Sequence, residues 1–336
     1  MRLFLSIFLI SVLSCQNLKN ENLIYNEKNI SELEITIVAR STNFLMPTQL
    51  ISTPNQLYVI DEGKEQFIHK FNSSFSKFEK SILNRGEGPN HFKNPPVVFN
   101  DYQDKFLNAL ELSTTEIFRI KGEGKEYLYD LPESLGLINQ VKYVDQNQLV
   151  GKAGLSNGNL FYYDLSSNSL KSTRFTPALV QTIKEADKKF VFNSFIETNR
   201  EENIVVEVMQ YFDLINFYDA SGEITKSIGE KEHQKFYQNN KGSFSGSETY
   251  LHYVDVTADK NYCYALYLGE KAKNANSESN KIDMTIRIFT WGGEYIKSFK
   301  LDKICTSIEA FDGDLYGIDP SNEQSPIFKI HIGEFE

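Results

Sequence analysis

One arrangement recurs along this chain and limits what it can fold into. A short apolar strand, a turn and another short strand repeat with a period of about 50 residues. The third strand of each unit is the clearest, at residues 67–71, 117–120, 160–163, 214–218, 286–289 and 327–330. A second-strand segment precedes each, at 57–60, 106–109, 149–152, 204–207, 262–265 and 315–318. A fourth strand follows a tight turn in five of the six units, and two of these hairpins are near copies, GEITKSI at 222–228 and GEYIKSF at 293–299. The glycine that opens both can take the positive φ such a turn requires. Four-stranded units at this spacing predict an all-β fold, a six-bladed β-propeller. A β-sandwich has no need of near-copied hairpins, and a parallel β-helix has a shorter period. The sixth unit lacks a fourth strand, while residues 33–38 read as a strand with no unit of its own. The ring is expected to close by that N-terminal strand joining the last blade, beside the strand around Lys329, which removes the open edge there.

The 336 residues exceed an average domain, but a propeller takes such a length as one unit. Aromatic content of 13 %, with 25 Phe and 18 Tyr, suits strands. A net charge of −10 argues against nucleic acid, whose phosphates need a basic surface. Three cysteines are too few for a disulfide scaffold. Cys263 and Cys305 fall in apolar strand patterns, where cysteine acts as a small hydrophobe, although export would leave a pairing between them open.

The N-terminus carries an address. Met1 and Arg2 give a basic start, and residues 3–13 are apolar except for Ser6 and Ser11. A run of about 11 residues matches a signal peptide and falls short of the ~20 a spanning helix needs. It ends in Val12, Leu13, Ser14 and Cys15, which resembles the bacterial lipobox, where the cysteine is acylated and becomes the mature N-terminus. Two or three acyl chains anchor stably. The expected organisation is a signal peptide over 1–14, lipidated Cys15 with a flexible tether over 15–30, and a propeller over 31–336. Gln16 stands where lipoproteins kept at the inner membrane carry Asp, so the resemblance implies an outer-membrane lipoprotein of the cell envelope with a periplasm-facing body.

The connection through Gly86, Glu87, Gly88, Pro89, Asn90, His91 and Phe92, followed by Pro95, resembles the G-x-G-P-G-x-F-x-x-P link between blades of NHL-like six-bladed propellers. With the lipobox, the whole chain is similar to the TolB-like six-bladed propeller lipoproteins of Bacteroidetes. The resemblance implies fold and localisation. Asn90 and His91 replace the usual glycine and acidic residue, so no role for this loop is carried over.

Strands within a blade alternate in direction. The first-to-second and third-to-fourth turns therefore share one face of the ring, and the second-to-third turns and blade-to-blade links share the other. The first set is short, for example at 145–146, 259–260 and 312–313. The second holds the extra length, at 83–96, 174–189, 229–250 and 269–281. Long insertions gathered on one face mark a working surface. Its candidate residues are Arg85, Glu87 and His91 in the first link and His233, Phe236 and Tyr237 in the fourth. Thr176 and Pro177 suit the start of a short helix, with Leu179, Ile183 and Ala186 able to face the ring.

The expected function is a non-catalytic binding or scaffold propeller that recognises a protein, peptide or glycan and needs no cofactor. The competing class is a calcium-dependent hydrolase, lactonase or lyase acting in the central channel. Its candidates are Asn100, Asn193, Glu197, Asp255 and Glu309 on the inner strands. The five histidines lack metal-ligand spacing, and no nucleophile elbow, phosphate loop or dinucleotide fingerprint is present. Convergence of three or more of those carboxylates and amides within coordination range around an open axis would favour the enzyme, and an axis plugged by aromatics would exclude it.

Overall fold

The computed structural model describes residues 30–32, 34–39, 44–63, 65–72, 78–101, 103, 105–153, 160–173, 183–229, 238, 242–275, 283–322 and 326–333. Six mainly antiparallel sheets follow one another in chain order, each stepping outward strand by strand. Their innermost strands are Pro47–Thr53, Val97–Asn100, Ile138–Tyr143, Ser194–Asn199, Tyr250–Ala258 and Ser307–Phe311. Each touches the next and the sixth touches the first, so the circuit closes around an axis.

The sequence pattern explains the layering. Second and third strands lie between neighbouring blades and are apolar on both faces, as in Leu107–Leu110, Leu214–Tyr218 and Asp314–Ile318, all of whose residues are buried. The fourth strand of blade three, Ser169–Ser172, is exposed throughout. The core sits in the seams. Val206, Val208 and Phe217 of blade four pack on Val256, Cys263 and Phe289 of blade five. Burying a side chain of this size contributes roughly 1.5–3 kcal/mol. Two strand glycines follow from the same packing. A Cβ on Gly151 would lie 2.4 Å from the Phe161 ring, and one on Gly317 2.5 Å from Phe328.

The ring closes as the leftover strand predicts. Glu34–Ala39 pairs antiparallel with Ile327–His331, setting Glu34 opposite His331 and Thr36 opposite Lys329. One strand was not foreseen. Ile30–Glu32 pairs parallel with Tyr295–Leu301, the fourth strand of blade five, with Ile30 beside Ser298 and Glu32 beside Lys300. The N-terminal stretch thus stitches blade five to blade six, and Ile30, the last residue assigned to the tether, is already in a strand. Cys263 and Cys305 are free and buried. Helix Glu185–Val191 lies in the third link, and Ile183 packs with Val191, Phe192 and Phe212, while Ala186 is exposed. Cys15, Thr176, Pro177 and Leu179 lie outside the described residues.

Candidate functional site

The innermost strand of every blade is a sheet edge, with backbone N–H and C=O groups turned toward the axis. Those groups need partners, and side chains of adjoining blades supply them. Gln140 of blade three accepts from the Ile196 N–H of blade four at 2.9 Å. Asp255 of blade five accepts from the Ile308 N–H of blade six at 2.8 Å. Glu309 of blade six accepts from both the N–H and the hydroxyl of Ser52 in blade one, at 2.8 and 2.7 Å. Asn100 of blade two donates to the Ser52 carbonyl at 2.7 Å. The Thr257 hydroxyl reaches the other Glu309 oxygen at 3.2 Å.

These groups form a polar waist in the channel. Lys142 completes it, its Nζ 2.7 Å from Glu197 Oε2. Lys142, Glu197 and Glu309 border two wells, one on each side. The mouth well, about 240 Å³, opens on the insertion-rich face between Thr48, Gln49, Glu62, Asn139 and Ser307. The other, about 410 Å³, opens among the short turns that carry Pro54, Arg200, Lys260 and Asp312.

Burial governs the charge state of the waist. It pushes the Asp255 carboxyl up to about 6 and Glu309 up to about 7, the latter against the pull of Lys142. Burial draws Lys142 down, but Glu197 and Glu309 outweigh it and hold the ammonium above its ordinary value. Four of the five axial candidates therefore lie along the channel. Asn193 does not; its amide donates to Gln210 at 2.8 Å. Among the described residues, no three His, Cys, Asp or Glu side chains gather closely enough to hold a metal ion. The axial carboxylates tie blade to blade instead.

The rim of the mouth well has a different character. Asp61 accepts from the N–H groups of Leu45, Met46 and Gly63 at 2.8, 2.9 and 2.9 Å, which fixes the link entering blade one. Burial pushes its carboxyl up, but His69 and those three amides outweigh it and hold it below its ordinary value. Leu45 and Met46 are left 68 % and 49 % exposed. Leu137 precedes the inner strand of blade three, Phe190 sits on the helix before blade four, and Tyr250 opens the inner strand of blade five. Five of the ten exposed large hydrophobics among the described residues are thus on this face. Ile37, Tyr127, Leu170 and Ile296 are scattered singly on the fourth strands of their blades, and Phe106 is near the opposite face.

The predicted first link divides by role. Arg85 donates to the Glu62 carbonyl at 3.0 Å and lies over the Phe67 ring. His91 folds back under its own loop. A Cβ on Gly86, whose φ is +150°, would come 2.7 Å from His91 Nδ1, and one on Gly88 3.0 Å from it. Both residues build the link, while Glu87 stays exposed beside Lys93. His233, Phe236 and Tyr237 lie outside the described residues. The apolar rim and Lys142 escaped the sequence reading. A large apolar residue directly before an inner strand was the available signal.

The description of TolB-like six-bladed propellers matches residues 26–312 of this chain. No curated protein matches it. Among solved structures, a member of the DUF4221 family from Bacteroides vulgatus superposes with a TM-score of 0.60 at 12 % identity, over 90 % of this chain and 96 % of that one. A Bacteroides thetaiotaomicron protein of unknown function gives 0.52 at 10 % identity, over 90 % and 73 %. A catalytically inactive virginiamycin B lyase from Staphylococcus aureus, solved with quinupristin, gives 0.53 at 14 % identity, over 90 % and 100 %. At such identities the likeness to these structures shows the fold alone.

Proposed function

The chain belongs to the TolB-like six-bladed propeller family, and from that premise we propose that it is a cell-envelope lipoprotein, held to the outer membrane through Cys15, whose insertion-rich face binds a protein, peptide or glycan. The observation that carries this reading is the apolar rim. Leu45, Met46, Leu137, Phe190 and Tyr250 are exposed on the face where a polar well opens, the face that also bears the long links. Exposed apolar side chains gathered at a polar depression are characteristic of binding surfaces, and aromatic anchors supply much of the energy of such contacts. The anchor is read from the apolar run over residues 3–13 and the lipobox-like residues ending at Cys15.

Channel chemistry of the lyase or lactonase kind finds less support. Glu309 and Asp255 spend their oxygens on backbone N–H groups and hydroxyls of neighbouring strands, and Glu197 is paired with Lys142. The test is site-specific photo-crosslinking in cells. A crosslinker at Leu137 or Phe190 is expected to give discrete adducts, while one at Leu170 or Ile296 on the fourth strands gives none. Adducts only from the outer strands would overturn the assignment.

A further inference from the structure

Three polar side chains lie sealed together in the seam between blades three and four. Lys152 is 4 %, Glu207 3 % and Asn216 0 % exposed. Each continues a strand face that is otherwise apolar. Val150 precedes Lys152 on that face, Val205 precedes Glu207 and Tyr218 follows Asn216, all in one core cluster with Leu160, Tyr162 and Ile196. Burying so much polarity in a dry seam is costly, and the ion pair of Lys152 with Glu207 leaves Asn216 unexplained.

The contacts set a nucleophile, a proton carrier and an electrophile side by side. Lys152 Nζ lies 3.2 Å from Glu207 Oε1, and Asn216 Nδ2 lies 3.3 Å from Glu207 Oε2. Glu207 and Asn216 stand directly opposite each other on adjoining strands. An ionised carboxylate only accepts, so the Asn216 NH2 faces it and the amide oxygen turns away. That oxygen receives the Ser227 hydroxyl at 2.7 Å. Asn216 Cγ is thus polarised by a donor on its oxygen, while its nitrogen rests on a group able to supply a proton. Burial draws Lys152 below its ordinary value against the pull of Glu207, which brings the neutral amine within reach.

We infer that Lys152 and Asn216 join through an amide bond made by these side chains, a covalent staple from blade three to blade four. Lys152 passes one proton to Glu207, and the amine lone pair attacks Asn216 Cγ. The carbonyl π electrons move onto Oδ1, where the Ser227 hydroxyl holds the charge. As they return, the Cγ–Nδ2 bond breaks, and Nδ2 takes the proton from Glu207 and departs as ammonia. Glu207 then accepts a second proton from Nζ, leaving one N–H on the new amide. No oxidant, cofactor or added reactant enters. Until the bond forms, Lys152 and Glu207 rest as an ion pair, so joining is slow and freshly folded chains are largely unjoined.

The test follows the intact mass of the folded full chain through a long incubation, then digests it for tandem mass spectrometry. The expected result is the loss of one ammonia per chain and a branched peptide in which Lys152 is joined to Asn216. Glu207→Gln removes the proton carrier and is expected to slow joining about 100-fold or more. Ser227→Ala removes the donor to Oδ1 and is expected to slow it about 100-fold, and it serves where Glu207→Gln fails to fold. Asn157 precedes Gly158 and can also shed ammonia, by closing a backbone imide. That loss persists in chain unfolded by urea, where joining stops. An unchanged mass in the folded chain, an ammonia loss that maps to Asn157 alone, or joining at the parent rate in both variants overturns the inference.

Discussion

Blade three reaches blade four through two lysine–glutamate pairs, Lys142 with Glu197 on the inner strands and Lys152 with Glu207 one strand further out. The outer pair is sealed, its side chains 5 % and 4 % exposed, against 19 % and 14 % for the inner one. Glu207 also accepts from the Ser194 and Tyr218 hydroxyls, both at 2.6 Å, and from the Asn216 amide at 3.3 Å. Burial pushes the Glu207 carboxyl up, yet Lys152 and the hydroxyls outweigh it and hold it below its ordinary value. Burial pulls Lys152 down despite Glu207. The inner pair faces the wells instead, beside Asp255 and Glu309, whose charges burial makes adjustable near neutral pH. One chemistry serves as a dry fastening at one radius and as a tunable lining at the next, and burial decides which.

The largest expected effect comes from breaking the sealed pair. Glu207→Ala strands the Lys152 ammonium and three donors, and unfolding by denaturant is expected to lose about 3–5 kcal/mol. Removing both charges together, as Lys152→Met with Glu207→Gln, is expected to recover most of that loss. The waist comes next, through pH. Asp255 and Glu309 carry folded values of about 6 and 7, above their ordinary 3.8 and 4.5. Their protonated forms therefore favour the fold, a contribution complete below about pH 4 and lost as pH rises through 6 and 7. Stability is expected to fall by about 2 kcal/mol between pH 5 and 8, allowing for water in the channel. Glu309→Gln is expected to flatten the upper part of that curve. Lys142→Met costs about 1 kcal/mol or less at neutral pH, since its pair is water-lined, and shifts the Glu309 titration further upward. Smallest is Leu137→Glu on the rim, within about 0.5 kcal/mol of the parent in the same assay. A loss well beyond that would mean the rim is packing rather than contact surface.

What could be read in advance follows from whether a feature is local or assembled. Closure of the ring was legible because it is a count: one strand missing at blade six, one spare around Thr36. The pairing of Ile30–Glu32 was not, because three residues carry no period and the contact is made by backbone. Lys152 and Glu207 interrupt strands that are otherwise largely apolar, QLVGKA and IVVEVM, which signals that each needs a partner. Their meeting depends on adjacency and stagger of two blades. Lys142 sits in an alternating strand and reads as a solvent-facing lysine until the axis brings Glu197 to it. Asn193, one residue before its inner strand, falls outside the channel for the same reason of depth. Leu45, Leu137 and Tyr250 are unremarkable singly, and only the ring brings them to one face.

The most direct measurement compares partner capture by two acylated double variants, Leu137→Glu with Phe190→Glu on the rim and Glu197→Gln with Glu309→Gln at the waist. Loss of the captured partner from the rim variant, with retention by the waist variant, is the expected result. Full capture by the rim variant and loss from the waist variant would locate recognition inside the channel and contradict the assignment of the mouth.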